Sequence, residues 1–485
     1  MEYITYMKIS QKSEKRCGAE AEAALDDENE SLITEILTIP LPKPVDTSVP
    51  CLISWAGDDI DRGDYEPGLV RIGPFHRQDP TQQSADWMEQ QKKQVLRGLL
   101  VSREEDEAGR REELRSYLEA MERVEPDARR CYNRTFSWMS SKEFARMLLL
   151  DGFFLYSRFV VAGAGDDDIA VDRDVVFLLE NQIPFFVLEE IHRLLTRRRR
   201  SEKVLLAVVV LDKVAGRVEQ LLRRNGYSNS AATSSSSPTP PCHLLHLLYM
   251  HLSPTTCAPK RIELPQVQHN NGEYRIRVPV PQVRWRTATQ YAAAGVRLVK
   301  RNLDGEKARS ILDVELTGED TLQVPCLTVD SNTLRMLRNM VAMEQKSLQK
   351  DRRTSHVTAY CLFISQLATT EEDVALLVSN GVIVHLLHSD DDVAAGLAGL
   401  CDGVVIDAYD PDGNYLRPKY EALERLISGD GSGGGRRKYS MARLRRHGKR
   451  SNCLMALMVM AAVFLFLWTA QQSVFAALRA GKGRC

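Results

Sequence analysis

The sequence lacks the short motifs that mark several common catalytic sites. No GxxxxGK[ST] phosphate loop, GxSxG nucleophile elbow or HExxH zinc pair occurs among the 485 residues. Each of these motifs carries the reactive or ligating group that its chemistry requires. We therefore expect no catalytic residues, no cofactor and no metal, and we expect that the protein is not an enzyme.

Paired cysteines and an N-terminal signal sequence are also missing. The ten cysteines are scattered without a CxxC pair, which in a chain of this length favours reduced thiols that pack as small apolar side chains. The first fifteen residues, MEYITYMKISQKSEK, contain no apolar core of the roughly 7–15 residues that a secretory signal needs. Both absences favour a cytosolic body.

Acidic residues are absent from the last part of the chain. From Gly431 onward there are 11 Lys and Arg and no Asp or Glu, which leaves residues 1–430 with 53 basic and 65 acidic side chains, a net charge of −12. An acidic body argues against nucleic-acid binding as its main activity. We expect no nucleic-acid partner.

One long apolar run stands out near the C-terminal end. It begins at Cys453 and ends at Ala470, CLMALMVMAAVFLFLWTA, and holds no charge. A helix of this length spans about 27 Å, close to the hydrocarbon thickness of a bilayer. The run predicts a transmembrane helix within residues 451–475, followed by a short tail at 476–485. A buried core helix beside a nuclear-localisation run is the alternative interpretation.

Flanking charge predicts the orientation of this helix. Eight basic residues lie between Arg436 and Arg450, and three follow the apolar run. Because basic flanks stay in the cytoplasm, the pattern predicts a single-pass membrane protein with a cytosolic body. The basic run can also bind anionic lipid, so we expect membrane lipid and an unidentified protein as partners.

The rest of the chain is predicted to form a single large, mainly α-helical domain with minor short β segments. Residues 1–45 are polar and then proline-rich, typical of a disordered leader, and the domain covers 46–428. Two polar stretches within it, 226–242 and 253–282, are predicted loops. Residues 429–450, Gly-rich and then basic, form the predicted juxtamembrane tether.

Hydrophobic periodicity and capping residues place the elements of this domain. Pro184 predicts a helix break at residues 181–183, and a charged helix is predicted to end before Pro126. Ser140 and the pair Thr370 and Asp373 are predicted helix caps. The other helices are predicted near 87–100, 203–222, 243–252, 331–350, 357–368 and 390–401, and short strands near 296–299, 310–316 and 322–329.

Three polar residues provide an alternative, catalytic hypothesis. His76 follows a Gly-Pro pair, Asp151 lies in an apolar helical stripe, and Glu180 lies at the predicted helix break. An enzyme of unrecognised class would need all three in one pocket. The simpler interpretation is structural: Asp151 pairs with Arg158 or another helix, and Glu180 with its neighbours satisfies backbone groups left open by Pro184.

A histidine pair provides a second candidate site. His243 and His246 lie one turn apart on a predicted helix and could bridge a metal. No acidic residue accompanies them and their neighbours are apolar, so packing is the favoured interpretation.

Several segments together resemble the plant-specific family called domain of unknown function 247. The segment with the most specific pattern is LLENQIPFFVL at residues 178–188, and LVRIGPFH at 69–76 precedes it. The remaining similar segments are Trp87-Met88-Glu89 with Lys92, His243-Leu244-Leu245, 287–296, 327–345, 357–384, Asp392-Val393 and 469–472.

The resemblance implies a largely helical protein with a C-terminal membrane helix and no established catalytic activity. Some grass members of the family resemble pollen determinants of self-incompatibility, which implies a recognition module. The chain departs from the family pattern before residue 453, where the expected Asn-Pro-Trp element is replaced by a Gly- and Arg-rich stretch. Our leading hypothesis is a membrane-tethered, non-catalytic interaction module of unknown molecular function.

Overall fold

A computed structural model describes residues 52–57, 62–77, 84–101, 106–161, 168–196, 206–229, 240–255, 283–347, 355–404 and 414–428. The chain divides into two units, Met1–Ser48 and Val49–Cys485, and every described residue lies in the second. The predicted leader, tether, transmembrane helix and tail lie outside the described residues, as does most of both predicted loops. Within the described ranges, no helix is long and apolar enough to cross a bilayer.

Helices dominate the described part of the chain, and small sheets accompany them, as the sequence predicts. The helices are α1 Ser84–Val101, α2 Glu107–Arg130, α3 Ser141–Tyr156, α4 Ile169–Phe177, α5 Phe186–Thr196, α6 Leu206–Arg224, α7 Leu244–Leu252, α8 Ala288–Ala293, α9 Ser331–Ser347, α10 His356–Leu367, α11 Glu371–Ser379, α12 Asp390–Ala398 and α13 Arg417–Ser428. Short 3-10 turns lie at Arg62–Asp64 and Gly399–Cys401, and a π-helical turn at Ser157–Val161 extends α3.

The first group of helices is built around α3. Its start is fixed by a capping box in which Ser140 and Glu143 satisfy each other's backbone amides, as the sequence predicts. Eleven of its sixteen residues are buried, because α3 packs against α1, α2 and α5. Helix α6 packs on α5 and α7, and α4 joins this group to α9.

The second group combines helices with five short strands. β1 Arg297–Arg301 pairs parallel with β3 Thr321–Pro325, and β2 Glu315–Thr317 pairs antiparallel with β3. β4 Leu327–Val329 pairs parallel with β5 Ile383–His385. Helices α9 to α12 pack with one another around β4 and β5, and α8 packs on β1 and α11. One continuous hydrophobic core joins both groups.

Two expectations about these elements differ from the structure. Helix α2 does not end before Pro126 but continues to Arg130, because Glu125 and Ala128 are buried and Arg129 bonds both the Glu125 carboxylate and the Phe136 carbonyl. Tertiary packing here outweighs the lost proline hydrogen bond. The predicted strands differ as well: 310–316 pairs only at Ser310, in an isolated bridge, and from Glu315 onward, and 322–329 is two strands of different sheets, β3 and β4.

The break at Pro184 is confirmed. Helix α4 ends at Phe177 and α5 begins at Phe186, so residues 178–185 form a non-helical connection. Thr370 and Asp373 form the capping box predicted for α11. The connection 178–185 is the element around which the candidate site is built.

Candidate functional site

A segment near the N-terminal end of the described chain is fixed mainly by side chains, and its one described β pairing is an isolated bridge between Ile53 and Tyr132. We call residues 52–57 and 62–77 the N-terminal strap. Its backbone amides donate to side-chain acceptors of the body: Trp55 to Asn133, Ala56 to Glu180, Leu69 and Val70 to Asp174, Ile72 to Asn181, and Gly73 to Asp151. These bonds satisfy backbone groups that have no ladder partner.

Glu180 is the acceptor at the start of the strap. Its carboxylate, fully buried, receives Ala56 N at 2.8 Å and both terminal nitrogens of Arg62, at 2.9 and 2.6 Å. The Arg62 guanidinium also lies 3.8 Å from the centre of the Trp55 ring, a cation–π distance. Glu180 therefore pairs its buried negative charge with the half-buried Arg62 and holds the strap to the helix break.

Asp151 is the acceptor at the end of the strap. One oxygen accepts from Gly73 N at 2.8 Å, and the other accepts from Arg77 at 2.8 Å and Lys92 at 2.6 Å. The Asp151 and Lys92 side chains are both fully buried. Of the two pairings expected for Asp151, the one with another helix is confirmed by Lys92 of α1. The one with Arg158 is wrong, because Arg158 binds Asp172 of α4.

Asn181 and Gln182 complete the connection between strap and body. Asn181 donates to the carbonyls of Val70 and Asp174 while it accepts from Ile72. Gln182 donates to Val175 and Leu178 and accepts from Leu245 N. Both side chains are buried, and together they satisfy backbone groups of the strap, α4 and α7. This agrees with the structural interpretation of the ENQ sequence.

Helix α9 contributes a second set of contacts to the strap. Arg335 lies 3.3 Å from Asp174 and also donates to the carbonyls of Asp64 and Glu66. Asn339 donates to the Asp64 carbonyl at 2.8 Å and accepts from Leu179 N at 2.8 Å. The strap is therefore clamped between the helix break and α9.

His76 lies beside Glu180 but is a poor candidate base. Its Nε2 is 3.3 Å from Glu180 Oε2 without the geometry of a hydrogen bond, and the atom is buried. Burial and the guanidiniums of Arg62, Arg71 and Arg335 lower the pKa of His76 to about 3. The ring is neutral at physiological pH and far from the pKa that a general base needs.

The three residues of the catalytic hypothesis are thus brought together only in part. His76 and Glu180 lie within contact distance, whereas Asp151 binds Gly73, Arg77 and Lys92. Both carboxylates are fully buried, and their oxygens are engaged by amides and cationic groups of the fold. The arrangement acts as a clamp that closes the strap onto the helical body.

The predicted histidine pair, His243 and His246, forms hydrogen bonds at the N-terminal end of α7. His243 is the N-cap of α7, and its Nδ1 accepts from His246 N, while His246 Nδ1 accepts from Cys242 N. Burial lowers the pKa of His243 well below its ordinary value. Among the described residues, no three His, Cys, Asp or Glu side chains group as a metal site.

The described starts of both predicted loops dock on one short segment. We call residues 303–313 the loop platform. Asn229 N bonds Arg309 O at 2.8 Å and Asn229 Nδ2 bonds Leu303 O at 3.0 Å. Gly305, at φ +80°, lies against the backbone of Asn229, and a Cβ on Gly305 would be 2.7 Å from the Asn229 carbonyl oxygen. The start of loop 226–242 is therefore fixed on the platform.

The second loop begins at the other end of the same platform. Thr255 donates through its amide and hydroxyl to one oxygen of Asp313, at 2.7 and 2.6 Å. The other Asp313 oxygen accepts from Arg309 N and Ser310 N, at 2.7 and 2.9 Å. One buried carboxylate thus fixes both the platform turn and the start of loop 253–282.

A buried polar group at the junction of α7, α9 and α10 was missed by sequence reasoning. Glu344 accepts from the amides of Val357 and Thr358, at 3.0 and 2.7 Å, and so caps α10 from another helix. Burial raises the pKa of Glu344 to about 7, against the opposing effect of these bonds. Beside it, His356 stacks on Tyr249, and burial lowers the pKa of His356 to about 4. The only signal in the sequence was an acidic residue on an apolar helix face.

Comparison with known proteins gives a family match over most of the chain. The model of the family DUF247, described as plant protein of unknown function, matches residues 49–468. The UPF0481 protein At3g47200 of Arabidopsis thaliana is 24% identical over 380 residues, which cover 74% of this chain and 73% of that protein. No solved structure matches the chain.

Proposed function

The chain belongs to the DUF247 family of plant proteins of unknown function, and from that premise we propose that it is a non-catalytic recognition module tethered to a membrane. Its binding surface is formed by loops 226–242 and 253–282, and its partner is a cytosolic protein. The observation that carries this proposal is the docking of both loop starts on the platform 303–313.

A rigid base under two polar loops suits recognition. Loops that bind partners commonly stand on a fixed scaffold, because ordering the base in advance lowers the entropy lost on binding. Asp313 and Asn229 supply that order with six of the hydrogen bonds described above. The two loops therefore leave the domain side by side and can contact one partner together.

The polar network at the strap supports a non-catalytic role. An enzyme that used His76, Asp151 and Glu180 would need at least one of these groups to reach a substrate. The carboxylates instead compensate buried cations and cap backbone amides, which makes them part of the fold. The catalytic hypothesis, with His76, Asp151 and Glu180 as its residues, remains the alternative.

Loop exchange tests the recognition proposal. Residues 231–239 and 257–281 would be replaced by short Gly/Ser linkers, which leaves the anchors Asn229 and Thr255 in place. Full chain and variant would be used as bait in plant extracts, with quantitative mass spectrometry as the readout. We expect loss of the specifically captured proteins. A control exchange of residues 405–413 should retain them, and an unchanged set after loop exchange would refute the proposal.

We propose further that the run from Cys453 to Ala470 crosses the membrane and that the basic run from Arg436 to Arg450 contacts anionic lipid on its cytosolic side. Support comes from the apolar length and the flanking charge. Fractionation with protease protection, on the full chain and on a truncation ending at Gly435, tests this. Membrane association resistant to carbonate, with a digestible body, is expected. A soluble full chain or a protected body would contradict it.

A further inference from the structure

The last described helix, α13, has few fully buried residues, and its partly buried Tyr420 and Ile427 pack against the core. Leu423 is its only buried residue, and Leu416, which directly precedes it, is buried as well. By contrast, nine of the twelve residues of α10 are buried. An element with so little buried apolar surface opens at a lower free energy than the core around it.

The contacts that hold α13 come from the end of loop 253–282. Arg286 donates to both oxygens of Glu424, at 2.8 and 2.7 Å, in a bidentate ion pair. The Trp285 ring meets the Tyr420 ring edge-on, with 5.4 Å between centres, and meets Phe363 of α10 at 4.8 Å. Both partners of α13 thus lie within four residues of the loop.

A further contact joins α13 to the loop platform. The hydroxyl of Tyr415, just before the helix, donates to the Leu312 carbonyl at 2.6 Å. Leu312 lies next to Asp313, the residue that fixes the start of the same loop. Helix α13 is therefore held by segments at both ends of loop 253–282.

Trp285 contributes a buried indole N–H to this interface. Trp285 Nε1 is buried and has no hydrogen-bond partner among the described residues. A buried N–H without an acceptor is costly, and Tyr420 is one of the two rings that pack on the indole. If α13 moved away, water would reach Trp285 Nε1 and accept its hydrogen bond. That bond would offset part of the contact free energy lost with α13.

We propose that α13 is a releasable latch. It detaches from residues 283–287 as a unit, by opening the Arg286–Glu424 pair and the Trp285–Tyr420 contact, while the rest of the domain stays folded. The latch couples loop 253–282 to the chain that follows Ser428. Its link to partner binding rests on the proposed function, whereas the release itself does not.

Amide hydrogen exchange on the full chain in detergent micelles tests the latch. The variants are Arg286→Glu, Glu424→Arg and the double charge swap, with Glu424→Gln as a milder substitution if the charge reversals reduce folding. Peptides from 414–428 are compared with peptides from 356–367. The matched control is Asp320→Asn, which removes the more exposed Arg297–Asp320 pair.

We expect each single variant to speed exchange in 414–428 at least tenfold, the double variant to return it to within about threefold of the parent, and exchange in 356–367 to stay unchanged. Equal acceleration of both regions would overturn the latch, because α13 would then open only with the domain. No change in 414–428 would overturn it too.

Partner capture separates the latch from the proposed function. With the bait assay described above, Glu424→Gln should change the amount of captured protein several-fold while loop exchange abolishes capture. If loop exchange has no effect, the recognition proposal fails and the exchange data still decide the latch. If capture depends on the loops but not on Glu424, the coupling is refuted.

Discussion

Gly73 and Gln182 meet backbone to backbone. Gly73 has φ +74°, and a Cβ at this position would lie 2.4 Å from the Gln182 carbonyl oxygen and 3.4 Å from the Tyr132 hydroxyl. The glycine therefore allows the strap to approach the helix break closely enough for Asp151 to reach its amide. No other residue type fits both the conformation and the space.

Replacement of Gly73 by alanine should destabilise the domain. We expect a loss of about 2–4 kcal/mol in the free energy of unfolding, since the added carbon forces the strap away from Gln182 and strains a left-handed backbone. Chemical denaturation measures this. Gly98→Ala is the control: nothing lies within 4 Å of a Cβ at this helical position, so a gain of about 0.5–1 kcal/mol is expected. Equal stabilities for the two variants would contradict the account.

The buried pair Asp151 and Lys92 should show strong coupling. Asp151→Asn leaves the fully buried Lys92 ammonium without its closest counter-charge, and we expect a loss of about 3–5 kcal/mol. Adding Lys92→Met should recover part of this loss, and a double-mutant cycle measures the coupling. The exposed pair Asp127 and Arg130 is the comparison, where Asp127→Asn should cost less than about 1 kcal/mol. Additive effects at Asp151 and Lys92 would disprove direct pairing.

His76 should make the domain sensitive to acid. Its pKa is lowered to about 3 in the fold, so the unfolded chain binds more protons between that value and the ordinary 6.5. The contribution of His76 to the free energy of unfolding is therefore complete above about pH 6.5 and is lost as the pH falls. The expected loss at pH 4.5 is about 2–3 kcal/mol. The His76→Gln variant should lose less stability as the pH falls from 6.5 to 4.5, whereas the variant at exposed His388, His388→Gln, should lose as much as the parent. Parallel profiles for the parent and His76→Gln would exclude this role.

Glu344 should act in the opposite direction. Its folded pKa is about 7, above the ordinary 4.5, so the folded protein holds the extra proton between these values. The contribution of Glu344 to the free energy of unfolding is greatest below about pH 4.5 and declines as the pH rises toward 7, by about 3 kcal/mol in total. Denaturation from pH 5 to 8 should show a smaller decline for Glu344→Gln, and an unchanged decline for exposed Glu371→Gln. If the free energy of unfolding of Glu344→Gln declined between pH 5 and 8 as steeply as that of the parent, a group other than Glu344 would be responsible.

Much of this arrangement could be predicted where the signal is local. Pro184 predicted the break between α4 and α5, Ser140 and Thr370 predicted helix starts, and the segments around residues 69–76 and 178–188 predicted the family, whose model matches residues 49–468. Each of these features depends on residues close together in the chain.

The missed features depend on distant residues. Lys92 lies on the buried face of α1 with Met88 and Leu96, so its position in the helix points to the core, but its partners Asp151 and the Arg71 carbonyl are distant in the chain. For Asp151 the sequence offered Arg158, seven positions away, or an unnamed residue of another helix, and it could not identify the actual partners, which lie 59 to 78 positions away. Strand β5, which pairs with β4 across more than fifty residues, had no local pattern strong enough to predict it. Periodicity cannot report such pairings.

The clamp on the strap also sets an order of events during synthesis. The strap leaves the ribosome before the helical body, and the acceptors of the Leu69 and Ile72 amides lie 105 and 109 residues further along the chain. At about 5–20 residues per second, these residues wait roughly 5–20 s for Asp174 and Asn181 to be made. During that interval the apolar side chains of Val70 and Ile72, which the finished domain buries completely, are open to chaperones. A nascent chain stalled before residue 174 should be cleaved by protease in the strap, and one stalled well beyond residue 339 should be protected there.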